Sequence, residues 1–432
     1  MSFFAKTKRP LVVPLSLTAV ALLATAGCSA QPAAGGDATA VESVTIVSGQ
    51  SAQNGELLQS IFDGYNESSD AAKVELQMSA DSDVETAQKV LVDIAAGAGP
   101  DAVRVTNATY QTLIDAGAAQ PATACFAGDA ELQKDLRADL IEGITVDGEI
   151  YQVPWYVTPN ALFYNAELFA KAGLDPEAPP TTMAEFHEAA QSIAATGTAG
   201  GTAYFGNDYN FQTYVASLGD RAFDPASGEL QLDGKAATAA FELFAEMAAD
   251  GSSPVYGNFF AEANEAFAGG KLGMMITSAS GYPALAAQGN TSIRMAPVPA
   301  MPGGEQIAAS STNGFVITTK DADRQAAVCD ALLSVLTPEA VTETVSATAT
   351  IPLRESVVED DAFLAPVYEK NPDWIKVREQ QTFPWASLPG GANAEYTGAF
   401  LDAQTLVLRG EGKPAEVTAE LQKTTTALLN AN

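Results

Sequence analysis

The residues best suited to chemistry are flat aromatics set among neutral hydrogen-bonding groups. The densest group lies in Asp147 to Asn165, DGEIYQVPWYVTPNALFYN. Tyr and Trp carry a large apolar face and a polar edge. Trp155 and Tyr156 are therefore suited to stack on a flat ligand face, and equally suited to core or hinge packing. Pro154 and Pro159 interrupt backbone pairing and predict a bent, semi-rigid segment, with Ala161 to Tyr164 returning to a core as a strand. A second group, Gln50, Asn54, Ser79, Asp81, Thr106 and Asn107, supplies side chains that hydrogen-bond hydroxyls. Such residues also serve as turn formers and helix caps. Capping is the better account of Ser82.

The elements that must position these groups alternate. Ser43–Val47 reads as a buried strand, with a polar loop over residues 48–55 and a helical pattern from Glu56 to Tyr65. Val74–Met78 alternates as a strand. Ser82 and Glu85 form a capping box opening a helix whose apolar face is Val84, Ala87, Leu91, Ile94 and Ala95. Asp101–Val105 is a third strand. Strand–loop–helix alternation implies a mostly parallel sheet with helices on both faces, and ligands of such sheets sit beyond the carboxyl ends of the strands. Thr182 and Glu185 form a second capping box, ahead of a buried face of Met183, Phe186, Ala190 and Ile193. Lys271–Ile276 is a strand followed by the loop Thr277–Tyr282, whose small residues let backbone N–H groups approach a ligand. Ser310 to Gly314 reads as a polar turn before a strand, Phe315–Thr318. Trp385 lies in the tail before a last long helix.

Composition narrows the function. The formal charge is −31, and such a surface repels phosphate backbones, which argues against nucleic-acid binding. At 432 residues two lobes are the natural expectation. His187 is the sole histidine, so neither a histidine metal cluster nor a triad has support, and no metal or cofactor is expected. GxSxG, HExxH and Walker A patterns are absent. Lys6, Lys8 and Arg9 precede the apolar run Leu11–Ala24, a secretory signal too short to span a membrane. Gln31 to Val41 is an Ala- and Gly-containing flexible tether.

The succession PWYVTPNALFYN, LFAKAGLDP and PPTTMAEFHEAA closely resembles the extracellular solute-binding proteins of sugar-type ABC importers, particularly the glycerol-phosphate and oligosaccharide binders. The ending TAGC at Cys28 resembles a bacterial lipobox, although Thr25 departs from the usual Leu. The resemblance implies an α/β, two-lobed periplasmic-binding-protein-like fold with a hinge and an interlobe ligand cleft. It divides the chain into a leader (1–27), a lipid-anchored tether (28–41), a first lobe (42–119 with 262–308) and a second lobe (120–261 with 309–432). Implied ligand residues are Gln50, Asn54, Asp81, Asn107, Trp155, Tyr156, Asn207, Tyr209, Ser278, Ser280, Asn313, Gly314, Arg354 and Trp385. Cys125 and Cys329 fall in one lobe, and a disulfide between them is plausible beside two free thiols. The implied protein is a monomer outside the cytoplasm that hands a small solute to permease subunits and is held to the membrane by lipid on Cys28. A neutral sugar is expected rather than a phosphate ester, because residues 390–400 contain no arginine and only Arg294 and Arg354 stand as anion partners. An exported glycoside hydrolase, with paired carboxylates in a cleft, is the enzymatic alternative. A surface adhesin would show repeats or many short strands, which are absent.

Overall fold

The computed structural model describes residues 40–431, apart from 50, 80–81, 108, 147, 204–207, 226, 257–258, 288–291 and 390–391. Nine strands form one connected hydrogen-bonded system: β1 Ser43–Ser48, β2 Lys73–Met78, β3 Ala102–Val105, β4 Val153–Asn165, β5 Gly200–Ala203, β6 Leu272–Ser278, β7 Ile293–Ala296, β8 Ala308–Ile317 and β9 Thr382–Pro384. Helices that matter below are α1 Ser51–Ser68, α2 Asp83–Ala95, α3 Met183–Ala195, α4 Asp208–Ser217, α5 Lys235–Ala249, α6 Pro338–Thr348, α7 Pro372–Glu379 and α8 Ala392–Leu408.

Everything hangs on β4. All thirteen of its residues are buried, as expected of a strand covered on both faces. Its first half pairs antiparallel with β8, which in turn pairs with β3, and β1 and β2 continue that sheet in parallel. From Asn160 onward β4 exchanges partners and pairs antiparallel with β6 and β7, with β5 parallel to β6. Pro159 stands at the handover, where its missing N–H interrupts no continuous ladder. The expected bent segment is thus a long strand that serves two sheets in succession.

Side-chain parity along β4 follows from its two-residue period. Val153, Trp155 and Val157 enter a core shared with Phe62, Phe126, Phe315 and Ile317. Leu162 and Tyr164 enter a second core, built with Phe186, Phe211, Phe241 and Phe400. Phe163 points the other way, into a third with Phe267, Met275 and Trp374. A fourth, with Val90, Val103, Val105 and Val316, covers the other face of the first sheet. Each sheet is therefore enclosed on both sides.

Within residues 262–308, expected in the first lobe, β6 and β7 pair with the second half of β4. Within residues 309–432, expected in the second lobe, Gly314–Ile317 of β8 pair with β3. The length of β4 is the reason: it pairs in both sheets, so a boundary in sequence does not coincide with a boundary in space.

Local signals held where they were chemical. Both capping boxes form, at Ser82/Glu85 and Thr182/Glu185. The face of α2 is rotated from expectation: Asp83, Thr86, Ala87 and Val90 are buried and Val84 is exposed. The helix at α1 begins at Ser51, inside the expected loop, with Asn54 departing from helical φ/ψ. Ser310 to Gly314 are not a turn but part of β8. Cys125 and Cys329 are joined, their Cα atoms 5.0 Å apart. Among the described residues no helix is long and apolar enough to cross a membrane.

Candidate functional site

Where β4 passes from one sheet to the other alongside β8, the buried positions of both strands turn polar. Tyr156, Thr158 and Asn160 alternate along β4, opposed by Ser310, Ser311, Thr312 and Asn313 of β8. All are buried. A buried polar group is costly unless it is hydrogen-bonded, and this row is extensively cross-linked.

On the first-sheet side the centre is Arg104 of β3. One guanidinium nitrogen donates to Asp83 at 2.6 Å, and the other to Asn313 Oδ1 at 2.8 Å and to the Tyr156 hydroxyl at 3.4 Å. Asn54 Nδ2 donates to the same hydroxyl at 3.0 Å. Its non-helical backbone takes it out of regular helical geometry at the start of α1. Burial raises the Asp83 pKa, opposed by the Arg104 charge and hydrogen bond. Both members of the ion pair are almost fully enclosed, at 5% and 6% side-chain exposure. The Arg104 Nε is buried and lacks a hydrogen-bond partner.

On the second-sheet side the centre is the start of α4. The Tyr209 hydroxyl donates to the Thr158 carbonyl at 2.7 Å. Thr158 Oγ1 meets Ser278 Oγ at 2.7 Å, Ser278 meets Ser280 at 2.8 Å, and the Ser280 N–H donates to Thr158 Oγ1 at 3.2 Å. Trp385 donates its indole N–H to Asp208 at 3.1 Å, and its ring meets Tyr209 edge-on with centroids 5.6 Å apart. Asn107, from the first sheet, reaches across: its Nδ2 donates to the Trp385 carbonyl at 2.8 Å while its Oδ1 accepts the Thr312 N–H at 2.7 Å.

The network therefore gathers Asn54, Asn107, Tyr156, Tyr209, Ser278, Ser280, Asn313 and Trp385 from distant parts of the sequence. Three other candidates make different contacts. Trp155 is 1% exposed; its indole N–H is satisfied by Thr344 of α6 and its ring packs near Phe315 and Tyr156. Its parity on β4 sends it into the core, on the side away from Thr158. Arg354 is bound to Asp135 at 2.6 Å and to the Leu336 carbonyl, each at the end of a short helix. Gly314 is required by close strand approach, since a Cβ there would lie 2.4 Å from the Val153 carbonyl oxygen. Arg294, the other proposed anion partner, is held by Asp373 and Glu177. Gln50, Asp81, Asn207 and Cys28 lie outside the described residues.

Asp83, Arg104, Thr158 and Asp208 were missed. A charge in the otherwise apolar strand AVRV was a usable signal for Arg104, and the polar alternation Y-x-T-x-N was one for β4. Asp83 was hidden because its helix was oriented on its apolar residues alone. Among the described residues no cluster of His, Cys, Asp and Glu could hold a metal ion.

The chain belongs to the bacterial extracellular solute-binding protein family, which it matches over residues 48–340, more than half its length. That family is one of solute-binding proteins rather than enzymes. It is 28% identical over 143 residues to the sn-glycerol-3-phosphate-binding periplasmic protein of Brucella abortus (strain 2308), covering 31% of this chain and 33% of that protein. The alignment thus spans about a third of that relative's length. The cyclic alpha-maltosyl-1,6-maltose binding protein of Arthrobacter globiformis superposes with a TM-score of 0.77 at 22% identity, covering 91% of this chain and all of the other. UgpB of Mycobacterium tuberculosis, solved with glycerophosphocholine, gives 0.78 at 18% identity, covering 90% and 98%. At these identities the two structures establish the fold, a mixed α/β periplasmic-binding-protein architecture.

Proposed function

We propose that this chain captures a neutral carbohydrate between its two sheets and delivers it to the permease of an ABC importer, tethered outside the cytoplasm by lipid on Cys28. The observation that carries the ligand class is the state of Arg104. It is the cation of the polar network described above, and Asp83 already neutralises it. A phosphate ester needs cationic or N–H donors free to receive it. Apart from Asp208, which takes the Trp385 indole N–H, the network otherwise offers hydroxyls, carboxamides and the half-buried Trp385 beside Tyr209. Neutral donors and acceptors with an aromatic face suit a polyol ring. The maltosyl-saccharide binder among the structural neighbours is in keeping with this.

A second reading is a glycerol-phosphate or glycerophosphodiester receptor. Its specific support is the Brucella relative, named for sn-glycerol 3-phosphate. A thermal-shift screen separates the two, since a ligand that binds only the folded state raises its stability. Maltose, maltotriose and larger saccharides are expected to raise the melting temperature, and sn-glycerol 3-phosphate and glycerophosphocholine are not. The opposite pattern transfers the assignment to the phosphate class. Saccharide turnover on prolonged incubation would contradict a receptor.

A further inference from the structure

We propose that Asp208 is the positioning residue that holds the indole of Trp385 as the stacking face of the solute site, an inference that rests on the receptor reading above. Trp385 lies in a strap clamped by β8, by the loop after β3 and by α4. Its N–H donates to the Ser310 carbonyl at 2.8 Å, continuing the β8–β9 pairing, and its carbonyl accepts from Asn107. Gln212 of α4 holds the next residue through both backbone groups, donating to the Ala386 carbonyl at 2.7 Å and accepting its N–H at 3.3 Å. Ser387 Oγ donates to the Asn107 carbonyl at 2.9 Å. With the backbone fixed this way, the side-chain rotamer decides where the ring faces.

The indole N–H is that ring's only hydrogen-bond donor, and it is given to Asp208. The carboxylate is 6% exposed. The groups that reach it are Trp385 Nε1–H, Gln212 Nε2–H and two backbone N–H groups. Among the described residues, the side chains that contact α4 include the uncharged Phe241 and Phe244 of α5, Phe400 of α8 and Asn160 of β4, with backbone groups of Thr158 in β4 and Ala309 in β8. Tyr209, its neighbour on α4, keeps its proton well above pH 10 through burial.

A carboxylate here is expensive. Burial pushes its pKa up to about 6, with the bonds from Trp385 and Gln212 pulling it back. A neutral acceptor would serve a purely structural role at lower cost. An ionised one makes the stronger, more directional bond to an N–H. Costly buried charge beside a half-buried aromatic marks a candidate functional position.

The sign of the linkage separates this role from packing. The folded pKa lies above the unfolded value, so the folded state binds more protons between about pH 4 and pH 6 and loses stability as pH rises through that window. Replacing the group by an uncharged isostere removes that loss. Asp208→Asn is therefore expected to melt no lower than the native chain at pH 8, while presenting Trp385 less well.

The experiment uses the native chain, Asp208→Asn, Asp208→Leu and Trp385→Phe. Tryptophan emission and near-ultraviolet circular dichroism of the unliganded proteins are followed from pH 4.5 to 8. The native protein should show an indole transition centred near pH 6, absent from Asp208→Asn and from Trp385→Phe. Maltotriose affinity at pH 8 should fall roughly three- to tenfold in Asp208→Asn and more in Asp208→Leu, in line with about twofold stronger charge-assisted bonds. Native affinity should approach that of Asp208→Asn below pH 6. A native indole signal independent of pH overturns the proposal, as does native affinity in a folded Asp208→Asn protein. If maltotriose, maltose and glycerophosphocholine all fail to bind the native chain, the solute assignment fails instead. The indole transition then still decides whether Asp208 holds Trp385.

Discussion

Trp155 and Trp385 show how far a single residue's role depends on where its side chain is sent. Both are tryptophans following a proline, in aromatic-containing stretches. Trp155 is enclosed, with its N–H on Thr344. Trp155→Ala is expected to cost about 3–5 kcal/mol of stability, as large core truncations do. Solute affinity in the folded fraction should be unaltered. Chemical denaturation and calorimetric titration of the same variant check both halves, and an affinity loss without destabilisation would return Trp155 to the site. Arg104 is the other instructive residue. Arg104→Met leaves Asp83 buried without its partner, and breaking a buried pair from one side typically costs about 3–5 kcal/mol. Adding Asp83→Leu should recover much of that loss. A double variant as unstable as the single one would show that Arg104 contributes mainly through Asn313 and Tyr156.

At the level of elements, β4 and β8 do the organising. Their apolar positions enter the cores of both sheets, and their polar positions meet between. The loop bearing Arg354 anchors the chain beside this seam. Asp135 accepts from Arg354 and from the Ser356 N–H and hydroxyl. Desolvation raises the Asp135 pKa, but these bonds outweigh it and the net shift is downward. A depressed folded pKa contributes stability above the unfolded value near 4, lost as pH falls through and below it. Arg354→Ala should therefore lower the melting temperature at neutral pH and shrink the acid-induced loss of stability, without changing solute affinity. Melting curves at pH 3, 5 and 7 test this; an affinity change at constant stability would restore Arg354 as a ligand residue.

For the whole molecule, the family assignment brings hinge closure within reach of test. Two sheets joined by the continuous strand β4 can swing about the joining segment. Small-angle scattering should give a smaller radius of gyration with saturating solute, and an unchanged value with a solute proven to bind would exclude closure in solution. The anchor is independent of that motion. Cys28→Ala should leave the protein in the medium or unprocessed. Fractionation with membranes at the native level would mean that something other than Cys28 retains it.

The sequence by itself determined those features that depend on near neighbours. Capping boxes, strand alternation and the apolar faces of most helices are set by spacings of two to four residues, and they were legible at Ser82, Thr182 and along α3. Three ordered blocks sufficed for the family, because family likeness is written in local succession. Tertiary structure alone decided which sheet each segment joined and which face of β4 met the polar seam. It sent Trp155 inward and left Trp385 half-buried, buried Asp83 against Arg104, and set Asp208 under an indole 177 residues away. Those outcomes turn on pairing partners remote in the chain, and a one-residue change of parity on a strand reverses the environment of every side chain it carries.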